Sequence, residues 1–96
     1  MSEAFDTVVR PLRAPSVAWR VIQGEAVMVL PATGRVHTLN GVGTRFWELV
    51  DGQRTLGEIA RQLHEEFEAP LEQIELDCRR FAAELGERHL LSGEAG

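Results

Sequence analysis

The sequence has one cysteine, no lysine and no long run of apolar residues. The single cysteine, Cys78, excludes an internal disulfide framework and a zinc site built from several cysteines, which is typical of a reducing compartment. No apolar stretch is long enough to span a bilayer. The first ten residues contain acids and lack an apolar segment, so we expect no signal peptide. These absences predict a cytoplasmic protein without a membrane span.

Positive charge is scarce in the second half of the chain. Residues 1–45 carry five arginines against three acids, residues 46–96 carry five against twelve, and the formal net charge is -5. Because phosphate neutralisation requires a positive surface, this balance argues against nucleic acid as the main partner. The length of 96 residues and the hydrophobic content of 44% predict one folded domain with a modest core.

Short segments rich in β-branched residues dominate the first half. Residues 17–23 and 25–30 flank Gly24, which supplies the positive φ of a tight hairpin turn. A second turn at residues 31–34, with proline first and glycine last, leads into a third strand at residues 35–39. The pattern predicts a three-stranded antiparallel meander.

The apolar period changes to that of helices after Asn40, which is a good N-cap residue. Asp51-Gly52 closes the first helix. Thr55 and Glu58 match a capping box at the start of a second helix, and Pro70 suits the start of a third. The predicted apolar stripes are Val42, Phe46, Leu49 and Val50; then Leu56, Ile59, Leu63 and Phe67; then Ile74, Cys78, Phe81 and Leu85.

The element order predicts a small α+β domain of winged-helix type, in which a three-stranded antiparallel meander is followed by three helices. Leu90 and Leu91 end it, either as a short return strand or as an apolar contact with the core. Residues 1–16 contain two prolines and no sustained period, so we assign them to an N-terminal arm. The domain then spans residues 17–91, and residues 92–96 form a C-terminal tail.

An ordered set of short motifs runs from residue 19 to residue 91, about three quarters of the chain. The motifs are Gly24-Glu25-Ala26-Val27, Thr38-Leu39-Asn40-Gly41, Phe46-Trp47-Glu48-Leu49-Val50-Asp51-Gly52, Arg54-Thr55-Leu56-Gly57-Glu58-Ile59-Ala60, Glu75 with Asp77, Phe81, Leu85 and Leu90-Leu91. At this spacing the set resembles the PqqD-like family, whose members are recognition elements for ribosomally made, post-translationally modified peptides. One departure is His89, where such proteins usually place glycine. Because histidine tolerates the left-handed conformation better than most residues, we expect the helix stop to survive.

The resemblance implies a non-catalytic peptide chaperone. In this family the leader of a precursor peptide adds as a strand beside the third strand, in a groove walled by the third helix, here residues 71–88. The partner would be a modifying enzyme of the radical-SAM or cyclase type, in pyrroloquinoline quinone synthesis or a related pathway, and we expect neither a cofactor nor a metal. The implied peptide-binding residues are Arg35, Val36, His37, Thr38 and Leu39 of the strand and Cys78 and Phe81 of the helix stripe, with Gln73, Asp77, Arg80 and Glu84 along one flank.

Either flank of that helix could face the peptide. The flank with Asp77 and Arg80 is favoured, because these side chains could select polar groups of the leader. The expected mode is β-augmentation, in which backbone bonds give a general grip and side-chain pockets give selectivity.

Several side chains that suggest chemistry have a simpler structural explanation. Cys78 lies on a core stripe with no histidine near it in sequence, so we expect a buried thiol rather than a nucleophile. His37, His64 and His89 lack the spacing of metal ligands, which favours surface or capping roles. Residues 40–43 are glycine-rich and precede a helix, but they lack the lysine of a phosphate loop, so capping and close packing are expected.

The remaining candidates concern surfaces. Phe46 and Trp47 are expected in the core rather than on an exposed platform, and the side of the sheet that Trp19 faces stays open. Leu76 falls opposite the core stripe of its helix, either as an isolated exposed leucine or as a contact with a partner enzyme. The acids within residues 65–68 form a solvated face or dock a basic surface.

Two other function classes remain open from the sequence. An exposed edge strand invites pairing with a second copy, so the chain could be a homodimeric structural subunit of a biosynthetic complex. A winged-helix DNA-binding protein shares the inventory of strands and helices, although the acidic helical half argues against it.

Overall fold

The computed structural model describes residues 7–30 and 33–95 and arranges them as two antiparallel sheets and three helices. The elements in chain order are β1 (Val9–Arg13), β2 (Ala18–Ile22), β3 (Glu25–Leu30), β4 (Arg35–Asn40), α1 (Val42–Leu49), α2 (Leu56–Glu66), α3 (Leu71–Glu87) and β5 (Leu91–Ala95). Strands β2, β3 and β4 pair in that order, and the helices follow. The predicted α+β architecture is therefore confirmed; its winged-helix label stays a prediction.

Tight turns join the strands of the meander. Gln23 and Gly24 both have positive φ, 51° and 80°, as a two-residue hairpin turn between Ile22 and Glu25 requires. The next turn is closed by the Gly34 N–H, which donates to the Leu30 carbonyl at 2.7 Å. The first half of that predicted turn, residues 31–32, lies outside the described residues.

A second sheet, β1 paired with β5, was not predicted: the sequence analysis placed β1 in an arm and residues 92–95 in a tail, and only Leu91 belongs to the expected return strand. Its register joins Val9 to Ala95 and Arg13 to Leu91. The Pro11 carbonyl accepts a hydrogen bond from the Gly52 N–H at 2.9 Å, so the backbone groups of Pro11 point away from β5. The N–H that proline lacks is therefore not needed for the pairing of β1 with β5. Residues 9–13 of the predicted arm and residues 92–95 of the predicted tail are therefore parts of two paired strands.

The start of α1 corrects the predicted cap. Asn40 is the last residue of β4, and the N-cap is Gly41, whose φ of 52° turns the chain without a side-chain hydrogen bond. The polar side chain that joins strand and helix is instead Thr44. Its buried hydroxyl accepts from the Ala26 N–H at 3.0 Å and donates to the Leu39 carbonyl at 2.8 Å, which ties β3 and β4 to α1.

Thr44→Val is expected to reduce the free energy of unfolding by about 2–4 kcal/mol, because it leaves one buried donor and one buried acceptor without partners. Urea unfolding followed by circular dichroism measures the change. The control is Thr38→Val on the exposed face of β4, where we expect a change within about 0.5 kcal/mol. Equal losses for the two variants would contradict the bridging role of Thr44.

The remaining helix ends follow the sequence. The Glu58 N–H donates to Thr55 Oγ1 at 3.1 Å and the Thr55 N–H donates to the Glu58 carboxylate at 2.9 Å, so the capping box of α2 is confirmed. Pro70 is the N-cap of α3. At the other end His89 adopts the left-handed conformation, φ 59°, and the Leu90 N–H donates to the Leu85 carbonyl at 3.0 Å. The predicted helix stop survives without glycine.

The hydrophobic core lies between the inner face of the meander and the three helices. Phe46 and Trp47 are fully buried, as predicted, and Phe46 packs against Phe81 with ring centroids 5.5 Å apart. Leu90 and Leu91 also belong to the core, and Leu91 opens β5. Within the described residues, no helix combines the length and apolar content that crossing a bilayer requires.

Candidate peptide-binding groove

Strand β4 is an edge of the meander, and its pairing determines which backbone groups are unpaired. A two-residue turn makes Ile22 and Glu25 a hydrogen-bonded pair, and antiparallel pairs alternate along a strand. Residues 25, 27 and 29 of β3 therefore bond to β2, and residues 26, 28 and 30 direct their backbone groups toward β4, although the Ala26 N–H donates to Thr44 instead. The N–H and C=O groups of Val36, Thr38 and Asn40 consequently point away from β3, toward the open edge.

The side chains of β4 alternate between the two faces of the sheet. His37 and Leu39 pair with Met28 and Ala26, which are fully buried, so they face the helices. Val36 lies on the opposite face and is 60% exposed. A strand added at this edge would thus hydrogen-bond through Val36 and Thr38 while its inward side chains lie beside His37 and Leu39.

Helix α3 forms the wall opposite this edge, and a cavity lies at each end of the groove. The larger has a volume of about 690 Å³. It is lined by Leu30, Thr33, Arg35, Val36 and His37 on the sheet side and by Glu87, Arg88, His89 and Leu90 at the end of α3. The smaller, of about 390 Å³, is lined by Glu25, Thr38, Leu39 and Asn40, by Gly41, Val42 and Gly43 at the start of α1, and by Phe81 of α3.

The start of α1 is closely packed at the floor of the smaller cavity. A Cβ on Gly43 would lie 3.3 Å from the Leu39 side chain and 3.4 Å from the Phe81 ring. Gly43 therefore serves close packing between β4 and α3, as the simpler explanation of that motif expected, whereas the expected cap by Asn40 is not formed.

His37 lies in the larger cavity with its imidazole facing α3. Partial burial lowers the pKa of His37, the positive charge of Arg88 lowers it further, and the carboxylate of Glu84 opposes both. The net effect favours the neutral form of the ring. Its Nε2 atom is buried and has no hydrogen-bond partner within the described part of the chain. The His37 side chain thus lines the cavity with a ring whose Nε2 atom is shielded from solvent.

The structure brings some of the predicted site residues together and separates others. The five residues of β4, with Phe81 and Glu84 of α3, lie around the groove. On the first half of α3, Asp77 accepts from Gln73 Nε2 at 3.0 Å and from Arg80 at 3.1 Å, so these three predicted residues bond to one another. Cys78 is 1% exposed and lies beneath the surface, as its core position indicated.

Cys78 is therefore expected to be inert in the folded protein. Burial raises the pKa of its thiol to about 12, with smaller contributions from the carboxylates of Asp77 and Glu75. We expect no alkylation by iodoacetamide at pH 8 in the native state and complete alkylation in urea. Rapid modification of the native protein would contradict the buried placement.

The raised pKa of Cys78 also makes the stability of the protein depend on pH. The unfolded thiol ionises at its ordinary pKa of 9.0 and the folded thiol at about 12, so the contribution of Cys78 is complete below pH 9 and is lost as the pH rises from 9 to 12. The loss approaches about 1.4 kcal/mol per pH unit in that window. Urea unfolding of Cys78→Ala at pH 8, 9 and 10 should show a shallower decline than the wild-type protein.

Several lining residues were not predicted. Arg88 follows Phe81 and Glu84 at helical spacing, so the same flank, continued by one turn, would have included it. Leu30 and Leu90 reach the cavity through the turn after β3 and the left-handed residue after α3, and no local pattern places them there.

The histidines take separate roles rather than forming a ligand set. His64 Nδ1 lies 2.9 Å from the Ala69 carbonyl at the end of α2, and His89 terminates α3. Among residues 7–30 and 33–95, no group of three or more His, Cys, Asp or Glu side chains is positioned to hold a metal ion.

Comparison with known proteins gives one consistent relationship. Residues 25–91 match the family model of coenzyme PQQ synthesis protein D (PqqD). The PqqA binding protein of Rhizobium meliloti (strain 1021) is 33% identical over 70 residues, which cover 73% of this chain and 69% of that protein.

Two solved structures share the fold. TbiB1 in complex with the TbiA(beta) leader peptide superposes with a TM-score of 0.79 at 28% identity, over 88% of this chain and 99% of that one. The PqqD truncation of Methylobacterium extorquens PqqCD, a stand-alone recognition element for ribosomally synthesised and modified peptides, gives a TM-score of 0.77 at 27% identity, over 94% and 96% of the two chains.

Proposed function

The chain belongs to the PqqD family, and from this premise we propose that it is a peptide chaperone, which binds the leader of a ribosomally made precursor peptide and presents it to a modifying enzyme. The leader adds as a strand to the open edge of β4, and its inward side chains enter the groove against α3. The contacts come from Arg35, Val36, His37, Thr38 and Leu39 of β4 and from Phe81 and Glu84 of α3.

The observation that carries this proposal is an unpaired strand edge beside a wall with a cavity at each end. Ordering about five leader residues costs about 1–2 kcal/mol each. The strand hydrogen bonds return about 0.5–1.5 kcal/mol each, so these two terms nearly cancel. Micromolar affinity requires about 8 kcal/mol, and apolar burial provides about 1.5–3 kcal/mol per side chain. Leu30 and Leu90 in the larger cavity and Leu39 and Phe81 in the smaller one supply that burial.

The chemistry resides in the partner enzyme. The relatives are named for binding a precursor peptide or are solved with a leader peptide, and the catalytic partner we propose is a radical-SAM or cyclase enzyme in the synthesis of pyrroloquinoline quinone or a related product. The chain then needs no cofactor or metal of its own and works in the cytoplasm. Leu76, 51% exposed on the solvent side of α3, is available for contact with that enzyme.

Binding to separate halves of the precursor peptide tests the proposal. A candidate precursor is chosen from short reading frames near the gene for this chain and is synthesised as separate leader and core peptides with a fluorescent label. Fluorescence anisotropy should give micromolar or tighter binding to the leader and none to the core at the same concentrations. Equal binding of the two halves, or binding to neither, would contradict the proposed role.

Pairing with a second copy of the chain competes for the same edge. Static light scattering over a dilution series, with and without leader, measures this competition. We expect the leader to convert any dimer into a one-to-one complex, because both occupants use the backbone of Val36 and Thr38. A dimer that binds leader without dissociating would place self-association elsewhere.

A further inference from the structure

Two arginines line the larger cavity, one on the sheet side and one at the end of α3. Arg35 opens β4, and Arg88 caps the end of α3. The ion pairs of the described arginines involve Arg45, Arg54 and Arg80, all outside this cavity. The Arg88 guanidinium donates to the Glu84 carbonyl at 3.2 Å, which holds it at the helix end with further N–H groups free to donate.

Two acidic side chains lie near these arginines, but neither forms an ion pair with them. Glu87 lines the cavity but forms no ion pair with a described residue, and Glu84 lies one turn earlier on α3. Inside the cavity, the charge of Arg88 lowers the pKa of the His37 imidazole by more than the charge of Glu84 raises it. Arg35 and Arg88 are therefore available to an anionic side chain that enters this cavity, although the protein as a whole is acidic.

The geometry of an added strand brings one of its side chains to this cavity. Arg35, His37 and Leu39 face inward at alternate positions, so an added strand presents alternate side chains beside them. The position beside Leu39 lies at the smaller cavity with Phe81, and the position beside Arg35 and His37 lies at the larger one.

From this arrangement we infer that the larger cavity selects a leader by an aspartate or glutamate side chain, which Arg35 and Arg88 bind from opposite sides. The inference rests on the proposed function and specifies its ligand. A carboxylate accepts two parallel bonds from one guanidinium, so either arginine can hold it by a forked pair of hydrogen bonds. An apolar side chain two or four residues away along the same strand fills the smaller cavity.

A phage-displayed library of random twelve-residue peptides tests the selectivity without knowledge of the natural leader. The immobilised wild-type protein should enrich sequences with Asp or Glu at a fixed spacing of two or four from an apolar residue. In one enriched peptide, synthesised again with the acid changed to its amide, the Kd should rise about tenfold, the loss expected for one charge-assisted contact.

Matched variants assign the selectivity to the cavity. In Arg35→Gln/Arg88→Gln, acid and amide peptides should bind equally, whereas Arg61→Gln on the exposed face of α2 should retain the tenfold difference. Both substituted arginines of the double variant are exposed, so the fold is kept, and circular dichroism melting checks this.

Enriched peptides without a common acid, or an acid preference that survives in the double variant, would overturn the inference. The anisotropy titration with the precursor halves tests the proposed function separately. If the protein binds the leader in the titration but the library shows no preference for an acid, the proposed function stands and only the acid selectivity is wrong.

Discussion

Thr38→Pro should weaken leader binding by about tenfold or more while the protein stays folded. Proline removes the Thr38 N–H, which points to the open edge of β4, and its ring occupies space that the added strand needs. The native ladder loses nothing, because β4 bonds to β3 through residues 35, 37 and 39. Fluorescence anisotropy with the labelled leader measures the affinity, and circular dichroism confirms the fold.

Two controls isolate the backbone donor. Thr38→Ala keeps the N–H and changes only a side chain on the outer face, so its affinity should stay within about twofold of the wild-type value. Val21→Pro makes the same substitution at the edge of β2, where the Val21 N–H also points away from β3, and should leave leader binding unchanged. If Thr38→Pro folds and binds the leader as tightly as wild type, or if Val21→Pro weakens binding equally, β4 is not the docking edge.

Trp47→Ala should produce the largest loss of stability, about 3–5 kcal/mol in the free energy of unfolding. The ring is fully buried and meets Trp19 edge to face, with centroids 5.9 Å apart. The Arg13 guanidinium lies 5.8 Å from the Trp47 ring centroid and donates to the Trp47 carbonyl at 2.9 Å. The cavity left by alanine would therefore loosen both the meander and the connection to β1.

Urea unfolding measures this loss. The control is Leu76→Ala, which changes an exposed apolar side chain of α3. For this control we expect the free energy of unfolding to change by no more than about 0.5 kcal/mol. Trp47→Phe should cost less than alanine, since it keeps most of the ring and removes a buried indole N–H that has no partner among the described residues. A loss below about 1 kcal/mol for Trp47→Ala would contradict the central position of this side chain.

Local signals explain why the meander and helices could be predicted. The Gly24 turn, the capping box of Thr55 and Glu58, and the left-handed His89 each depend on residues within a few positions of one another, and the structure contains all three. The β1–β5 sheet depends on partners about eighty residues apart, and neither Pro11 nor Gly93 is typical of a strand. Such pairing leaves no local pattern to read.

The N-cap of α1 was predicted incorrectly for a different reason. Asn40 has the right chemistry for an N-cap, but the buried Thr44 hydroxyl already joins the strand to the helix, so a glycine turn is sufficient. A preference of one residue was overridden by a tertiary hydrogen bond, which the sequence does not reveal.

The site was predictable where it follows periodicity or family resemblance. Alternation along β4 and the helical spacing of Phe81 and Glu84 place these residues on the groove. The larger cavity was not predictable, because it forms only where the turn after β3 approaches the end of α3 and the chain reverses at His89. Arg88 acquires its position from that reversal rather than from any motif.

An amide-resolved NMR titration with the leader peptide tests the central claim most directly. The account predicts chemical-shift changes on β4 and on the second half of α3. It also predicts new protection from hydrogen exchange at the Val36, Thr38 and Asn40 amides, because only these donors of β4 point to the open edge. The amides of His37 and Leu39, which bond to β3, should gain little. Saturable binding with no new protection at Val36 and Thr38, or with shifts confined to the outer face of the sheet, would contradict strand addition at β4.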